Sequence, residues 1–208
     1  MDLFQSDSTL QFAGFLSYPA ISIHEHAMTF LTGKSGSGKS TSLRLLNATL
    51  RPSRGSIVYR GRPLDQWPPL AYRREVMLVP QRDFLYDATV RENFARFHEM
   101  RESPVPDDSR IRSALALGAS DCTPDTPCST LSGGERQRVF LALFLSCETP
   151  VLLLDEPTSA LDDETSRRFL SGLDRYRKEK GVTVVCVCHR PELALEFGDE
   201  RISLEDRP

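Results

Sequence analysis

Gly33-Lys34-Ser35-Gly36-Ser37-Gly38-Lys39-Ser40 follows the apolar run Met28-Thr29-Phe30-Leu31-Thr32 and opens a helical pattern over Lys39–Leu50. The stretch fits G-x-x-x-x-G-K-[ST]. Average residue usage produces that pattern by chance in on the order of one 200-residue chain in a hundred. A strand before it and a helix after it are what make it a phosphate site. The glycines let backbone N–H groups converge on phosphate oxygens with no Cβ in the way. The helix adds its positive N-terminal end. In such a loop Lys39 reaches the β- and γ-phosphates, and Ser40, with Thr41 beside it, offers its hydroxyl to Mg²⁺.

A second stretch completes the reading. Val151-Leu152-Leu153-Leu154 is a buried strand ending in Asp155-Glu156. Two acids at the C-terminal edge of a sheet sit where nucleotide phosphates bind in layered α/β folds. Asp155 is expected to hold Mg²⁺, and Glu156 to orient and deprotonate an attacking water. Adjacent acids before Pro157 could merely begin a turn. Beside a phosphate loop the catalytic reading dominates.

Short, almost wholly apolar runs recur at Met28–Thr32, Val76–Pro80, Val151–Asp155 and Val182–Cys188, as in strands covered on both faces. Helical patterns alternate with them at Lys39–Leu50, Glu135–Cys147, Asp163–Lys180 and Pro191–Phe197. The expected fold is therefore α/β, of the P-loop NTPase type, a mostly parallel sheet with helices on both faces. Leu10–Tyr18 and Gly55–Gly61 suggest an antiparallel β flank. From Phe84 to Thr130 no strand is evident. Helical pieces near Thr89–Met100 and Ser109–Leu117 are broken by Pro104, Pro106, Pro124 and Pro127. The expectation is one domain over 1–208, with an α/β core at 1–83 and 149–208. A helical subdomain occupies 84–148.

Composition bounds the remaining possibilities. Twenty-six Lys and Arg against 29 Asp and Glu leave a net charge of −3 on 208 residues, which argues against an electrostatic nucleic-acid binder. The longest apolar stretch, Val139–Cys147, is about half of the roughly 20 residues a membrane helix needs. The start, MDLFQSDSTL, carries no signal-peptide pattern. Five cysteines lack a paired CxxC framework and fit a reducing compartment. Cys186 and Cys188 read as core residues, Cys122 and Cys128 as candidates for exposed thiols. His24-Glu25-His26 reads as a solvent-facing turn rather than a metal site.

Leu131-Ser132-Gly133-Gly134-Glu135-Arg136-Gln137-Arg138 is a Ser-Gly-Gly turn at a helix N-terminus, a second device for holding anions. It resembles, at every position, the signature sequence of the ATP-binding cassette (ABC) family. That resemblance implies ATP and Mg²⁺ as ligands. It also implies a head-to-tail homodimer in which each ATP lies between one chain's phosphate loop and the other's Ser132, Gly133 and Gly134. Gln81, after Glu75–Pro80, looks like the glutamine that contacts Mg²⁺ and water. Ser159-Ala160-Leu161-Asp162 resembles the loop that crosses to the partner. His189 looks like the histidine that contacts the γ-phosphate. Tyr18 is expected to stack on adenine, with Phe15 in reserve. Two features depart from the family pattern: a shortened connection from Tyr18 to Ile21–Ile23, and His26-Ala27 in place of the usual Gly-Glu.

The resemblance covers about Leu10 to Leu204. It implies an ATP-hydrolysing subunit driving separate transmembrane permease subunits, located peripherally on the cytoplasmic face of the plasma (inner) membrane. The chain resembles small bacterial subunits assigned to metal (iron) export. The rival expectation is a soluble ABC ATPase acting on DNA or ribosomes. The 50 positions from Gln81 to Leu131 are too few for the coiled-coil arm that many such proteins carry. Phe84-Leu85-Tyr86 either packs within the helical insertion or lines a groove for a short helix of a membrane partner.

Overall fold

The computed structural model describes residues 1–204. Glu205, which would end the strand-like segment from Arg201, and the final residue Pro208 lie outside the described residues. Two compact units divide the chain. One comprises Met1–Val79, Thr149–Glu156 and the residues from Arg177 onward; the other comprises Pro80–Glu148 and Pro157–Tyr176.

The first unit opens with β1 (Asp2–Ser6), β2 (Gln11–Phe12), β3 (Leu16–Ser17), β4 (Ser22–His24) and β5 (Met28–Thr32). α1 (Lys39–Leu46), β6 (Ile57–Tyr59), β7 (Arg62–Pro63), α2 (Pro69–Glu75) and β8 (Val76–Val79) follow. β9 (Val151–Asp155), β10 (Thr183–Val187), α7 (Pro191–Phe197) and β11 (Glu200–Ser203) complete it. Five strands form a parallel sheet in the order β11-β5-β10-β9-β8. Every residue of β9 and β10 is buried, which explains their unbroken apolar sequence. The antiparallel flank is a separate sheet in the order β4-β1-β6-β7, with β2 and β3 as a small hairpin.

Leu43, Leu45 and Leu46 of α1 pack with Leu31, Leu153 and Val185 of the parallel sheet and with Phe4, Tyr18, Tyr59 and Tyr72 in one core. Tyr59 lies 5.3 Å from both Trp67 and Tyr72, edge to face. α1 ends four residues before the helical pattern does. The N–H groups of Thr49 and Leu50 both turn back to the Arg44 carbonyl, and Ala48 adopts a left-handed φ of 54°. Asn47 holds the stop by donating from Nδ2 to the Val76 carbonyl at 2.5 Å. Strand β1 and helix α2 are not foreseen by the sequence reading. β1 is only five residues long with the adjacent Leu3 and Phe4 both buried, so it lacks a clean two-residue period, and α2 begins at Pro69, directly after Pro68.

The second unit holds α3 (Val90–Met100), α4 (Asp108–Leu117), α5 (Gly133–Leu145) and the part of α6 (Asp163–Lys180) up to Tyr176. No strand lies between residues 80 and 150 among the described residues. Each helix has its own start signal. Thr89 and Glu92 form a reciprocal capping box at α3, and the Asp107 carboxylate accepts from Arg110 N at 2.9 Å at α4. Cys128 corrects the expectation of an exposed thiol. It is fully buried, and its sulfur accepts from Asn93 Nδ2 at 3.4 Å. Burial pushes its thiol pKa up.

Candidate nucleotide site

The parallel sheet brings three chain segments to one edge. β10 runs between β5 and β9, and Val187 stands level with Leu31 on one side and Asp155 on the other. Gly33, His189 and Glu156 therefore leave the sheet side by side at the carboxyl ends of three adjacent strands, where ligands bind in such folds.

Gly38 caps α1 with φ 94°, a backbone conformation that glycine takes without strain. A Cβ there would lie 2.7 Å from Tyr18 Oη and 3.3 Å from Leu16 Cδ1. The loop and the Tyr18 ring thus fit only with hydrogen at this position. Lys39 is buried, and its ammonium donates to the carbonyls of Gly33 and Lys34 at 2.7 and 2.8 Å. The cation is held at the centre of the loop it is expected to serve. Ser40 donates through Oγ to Asp155 Oδ1 at 2.9 Å, bringing two of the three expected Mg²⁺ ligands together.

Asp155 is only 6% exposed, and burial pushes its carboxyl above the usual range. The nearby Glu156 charge pushes the same way, while the Ser40 hydrogen bond opposes both. A buried carboxylate in that state gains much from a cation beside it. Ser37 Oγ is buried and lacks a partner among the described residues. An orphaned hydroxyl inside a glycine-rich loop, next to a lysine and a serine–aspartate pair, fits a phosphate with its divalent ion.

Glu156 stands at φ 53°, an uncommon conformation for a residue with a side chain. Its Oε1 lies 2.6 Å from His189 Nε2. Phe15, Ser35, Gly36, Thr41, Glu156 and His189 are among the residues lining a cavity of about 280 Å³.

Tyr18 requires a correction. It is fully buried in the core and donates from Oη to the Gly38 carbonyl at 3.2 Å, so its ring presents no face for an adenine. Phe15 is 70% exposed at the tip of the β2–β3 hairpin and lines the cavity. The signal lay in the alternation of the strand. Leu16 and Tyr18 share one face and go to the core, leaving Phe15 in the turn.

The other expected site residues belong to the second unit. Ser132 caps α5 in a reciprocal box with Glu135. Its N–H and hydroxyl both donate to Glu135 Oε2, at 2.8 and 2.6 Å. The hydroxyl and amide of Ser132 hold that carboxyl below the usual range. Gly133 and Gly134 form the first turn of α5, with the N-terminal end of the helix behind them. Asp162 caps α6, accepting from Thr165 N at 2.7 Å and from the Thr165 hydroxyl at 2.8 Å. Its side chain thus serves its own helix. Gln81 is exposed in the segment just after β8. Phe84 is exposed and lies edge to face with Tyr86, and the Arg96 guanidinium stands 4.9 Å from the centre of the Tyr86 ring. His24 ends β4 with its ring against the Asp2 and Glu200 carboxylates, and among the described residues no three His, Cys, Asp or Glu are grouped so that they could hold a metal ion.

Strand, phosphate loop, paired acids, histidine and a second anion-holding turn define a nucleotide-binding cassette. The sequence matches the family described as ABC transporter over residues 16–159. The chain belongs to that family, and the fold is that of its ATP-binding domain. It is 37% identical over 181 residues to a methionine import ATP-binding protein of Burkholderia lata, covering 85% of this chain and 52% of the relative. It is 30% identical over 193 residues to an achromobactin transport ATP-binding protein of Dickeya dadantii, covering 90% and 72%. The chain thus spans from about half to about three quarters of the length of these relatives. Among solved structures, cbiO1 of Clostridium perfringens, part of an ABC transporter complex, superposes with a TM-score of 0.83 at 26% identity, covering 97% of this chain and 84% of that one. A dimeric bacterial ABC transporter cassette shares the fold, with a TM-score of 0.82 at 23% identity.

Proposed function

We propose that this chain binds and hydrolyses ATP as a subunit of an ABC transporter, closing head to tail on a second copy and driving separate membrane subunits. The observation that carries the reading is the single sheet edge holding Lys39, the Ser40–Asp155 pair and the Glu156–His189 pair. Lys39 and the loop amides bind the β- and γ-phosphates. Ser40 and Asp155, with Gln81, would hold Mg²⁺, which would neutralise charge on the phosphate oxygens. Glu156 accepts a proton from the attacking water, and His189 holds the Glu156 carboxylate in place and reaches toward the γ-phosphate. Phe15 supplies the ring for adenine. Ser132, Gly133 and Gly134 present the N-terminal end of α5 to the partner's ATP, and Asp162 anchors the loop that crosses to that partner.

Support for a transport role comes from the relatives, which are named for the import of methionine and the transport of achromobactin. No helix of the described residues is long and apolar enough to cross a membrane, which fits a peripheral subunit on the cytoplasmic face. The cargo is read by the membrane partner. Purification from detergent extract tests the assignment. A membrane protein retained with the chain supports it, while retention of ribosomes or DNA in its place would favour the soluble, non-transport reading.

A further inference from the structure

Two segments of the second unit that the dimer reading sends toward the partner chain are joined to each other. Ser159 and Ala160 are exposed, yet the Ala160 N–H donates to Gln137 Oε1 at 3.3 Å. Gln137 is itself buried, 6% exposed, on the first turns of α5. A Cβ on Gly134 would lie 3.3 Å from the Ala160 carbonyl, so the backbone of the Ser132–Gly134 turn runs directly beside Ala160. Behind Ala160 the loop is closed by Leu161 N donating to the Thr158 carbonyl at 3.2 Å, and by the Asp162 cap on α6. Buried amide side chains are costly unless their polar atoms are used. At Gln137 that atom is directed at the crossing loop.

We propose that Gln137 is a positioning residue that locks the 158–162 loop to the Ser132–Gly134 turn, so that both meet the partner's ATP-loaded face as one rigid element. The inference rests on the head-to-tail dimer proposed above. A loop held in its binding conformation before association loses less conformational entropy on docking. Removing the tether therefore weakens closure and leaves the chain's own ATP binding intact.

Two measurements test it. Amide hydrogen exchange at Ala160 in the single chain reads the tether without any dimer. Gln137→Leu, similar in size but with no acceptor, should speed that exchange selectively, and unchanged protection would overturn the tether. ATP-dependent self-association is then read by sedimentation in a Glu156→Gln background. Gln137→Leu should weaken the dimer by about tenfold, the scale of one lost buried hydrogen bond, with unchanged single-chain ATP affinity. Gln137→Glu restores an oxygen at the same place and should recover the affinity. If Leu dimerises like its parent, or Glu fails as Leu does, the coupling is wrong. A Glu156→Gln parent that stays monomeric in saturating Mg-ATP would overturn the dimer reading and the coupling together, with the exchange result still deciding the tether.

Discussion

Glu156 Oε1 and His189 Nε2 stand 2.6 Å apart, each just beyond the end of one of two neighbouring parallel strands. The Glu156 side chain is mostly buried and its backbone holds φ 53°, while the His189 side chain is about half exposed. The histidine fixes one oxygen of the carboxylate at the sheet edge. His189→Ala should therefore lower kcat for ATP hydrolysis by roughly 10²-fold, the low end of what proton-transfer positioning contributes, and change ATP affinity much less. Steady-state ATPase assays set against nucleotide titration check this split.

Phe15 and Tyr18 make opposite predictions. Phe15→Ala should weaken ATP binding by about 1–3 kcal/mol, the loss expected for one base–aromatic stack, with little change in melting temperature. Tyr18→Phe removes the hydroxyl that bonds the Gly38 carbonyl, keeps the ring in the core and should leave binding near wild type. Tyr18→Ala opens the core and should cost about 3–5 kcal/mol of stability. Fluorescent-nucleotide titration and thermal melting separate the three.

Gly38→Ala adds a Cβ 2.7 Å from Tyr18 Oη at a backbone φ of 94°. The expected cost is about 1–3 kcal/mol in the loop, seen as a lower melting temperature and weaker ATP binding. Combining it with Tyr18→Phe removes the contact and leaves the backbone strain, so recovery should be partial. Full recovery would mean that the left-handed backbone is not needed.

The sign of the Asp155 effect on stability follows from burial. Its carboxyl pKa is raised above the usual 3.8 in the folded chain. The protonated form is thus favoured on folding, and the stability it contributes is present below the unfolded pKa and is lost as pH rises through the higher folded value. Asp155→Asn should melt progressively higher than wild type as pH rises above about 4, the ordinary carboxylate pKa, while losing Mg²⁺-dependent hydrolysis. A variant that melts lower than wild type at neutral pH would contradict the desolvation account.

Much of this was legible in the chain itself. The runs Met28–Thr32 and Val151–Asp155 are strands at the residues where unbroken apolar sequence placed them, and α6 and α7 likewise match their patterns. Unbroken apolar runs mark the two strands, and the two helices carry local start signals, the Asp162 cap at α6 and Pro191 at the first position of α7. Strand β1 was not legible. Its partners β4 and β6 lie about 20 and 55 residues further along the chain, and pairing of that kind leaves no local mark. At the site, Lys39, Ser40, Asp155, Glu156 and His189 announce their chemistry by type and position. The hydrogen bond between Glu156 and His189 depends on strand order, which residue spacing does not encode. Tyr18 misled because a tyrosine near a phosphate loop suggests stacking, while the period-two alternation with Leu16 sends it to the core.

The central claim is that Glu156 performs ATP hydrolysis at a site whose binding machinery is Lys39, Ser40 and the loop amides. Single-turnover hydrolysis of bound radiolabelled ATP, with wild type and Glu156→Gln in parallel, tests it most directly. The variant should bind ATP as tightly as wild type and convert it at least about 10²-fold more slowly. Conversion of bound ATP by Glu156→Gln at the wild-type rate would contradict it.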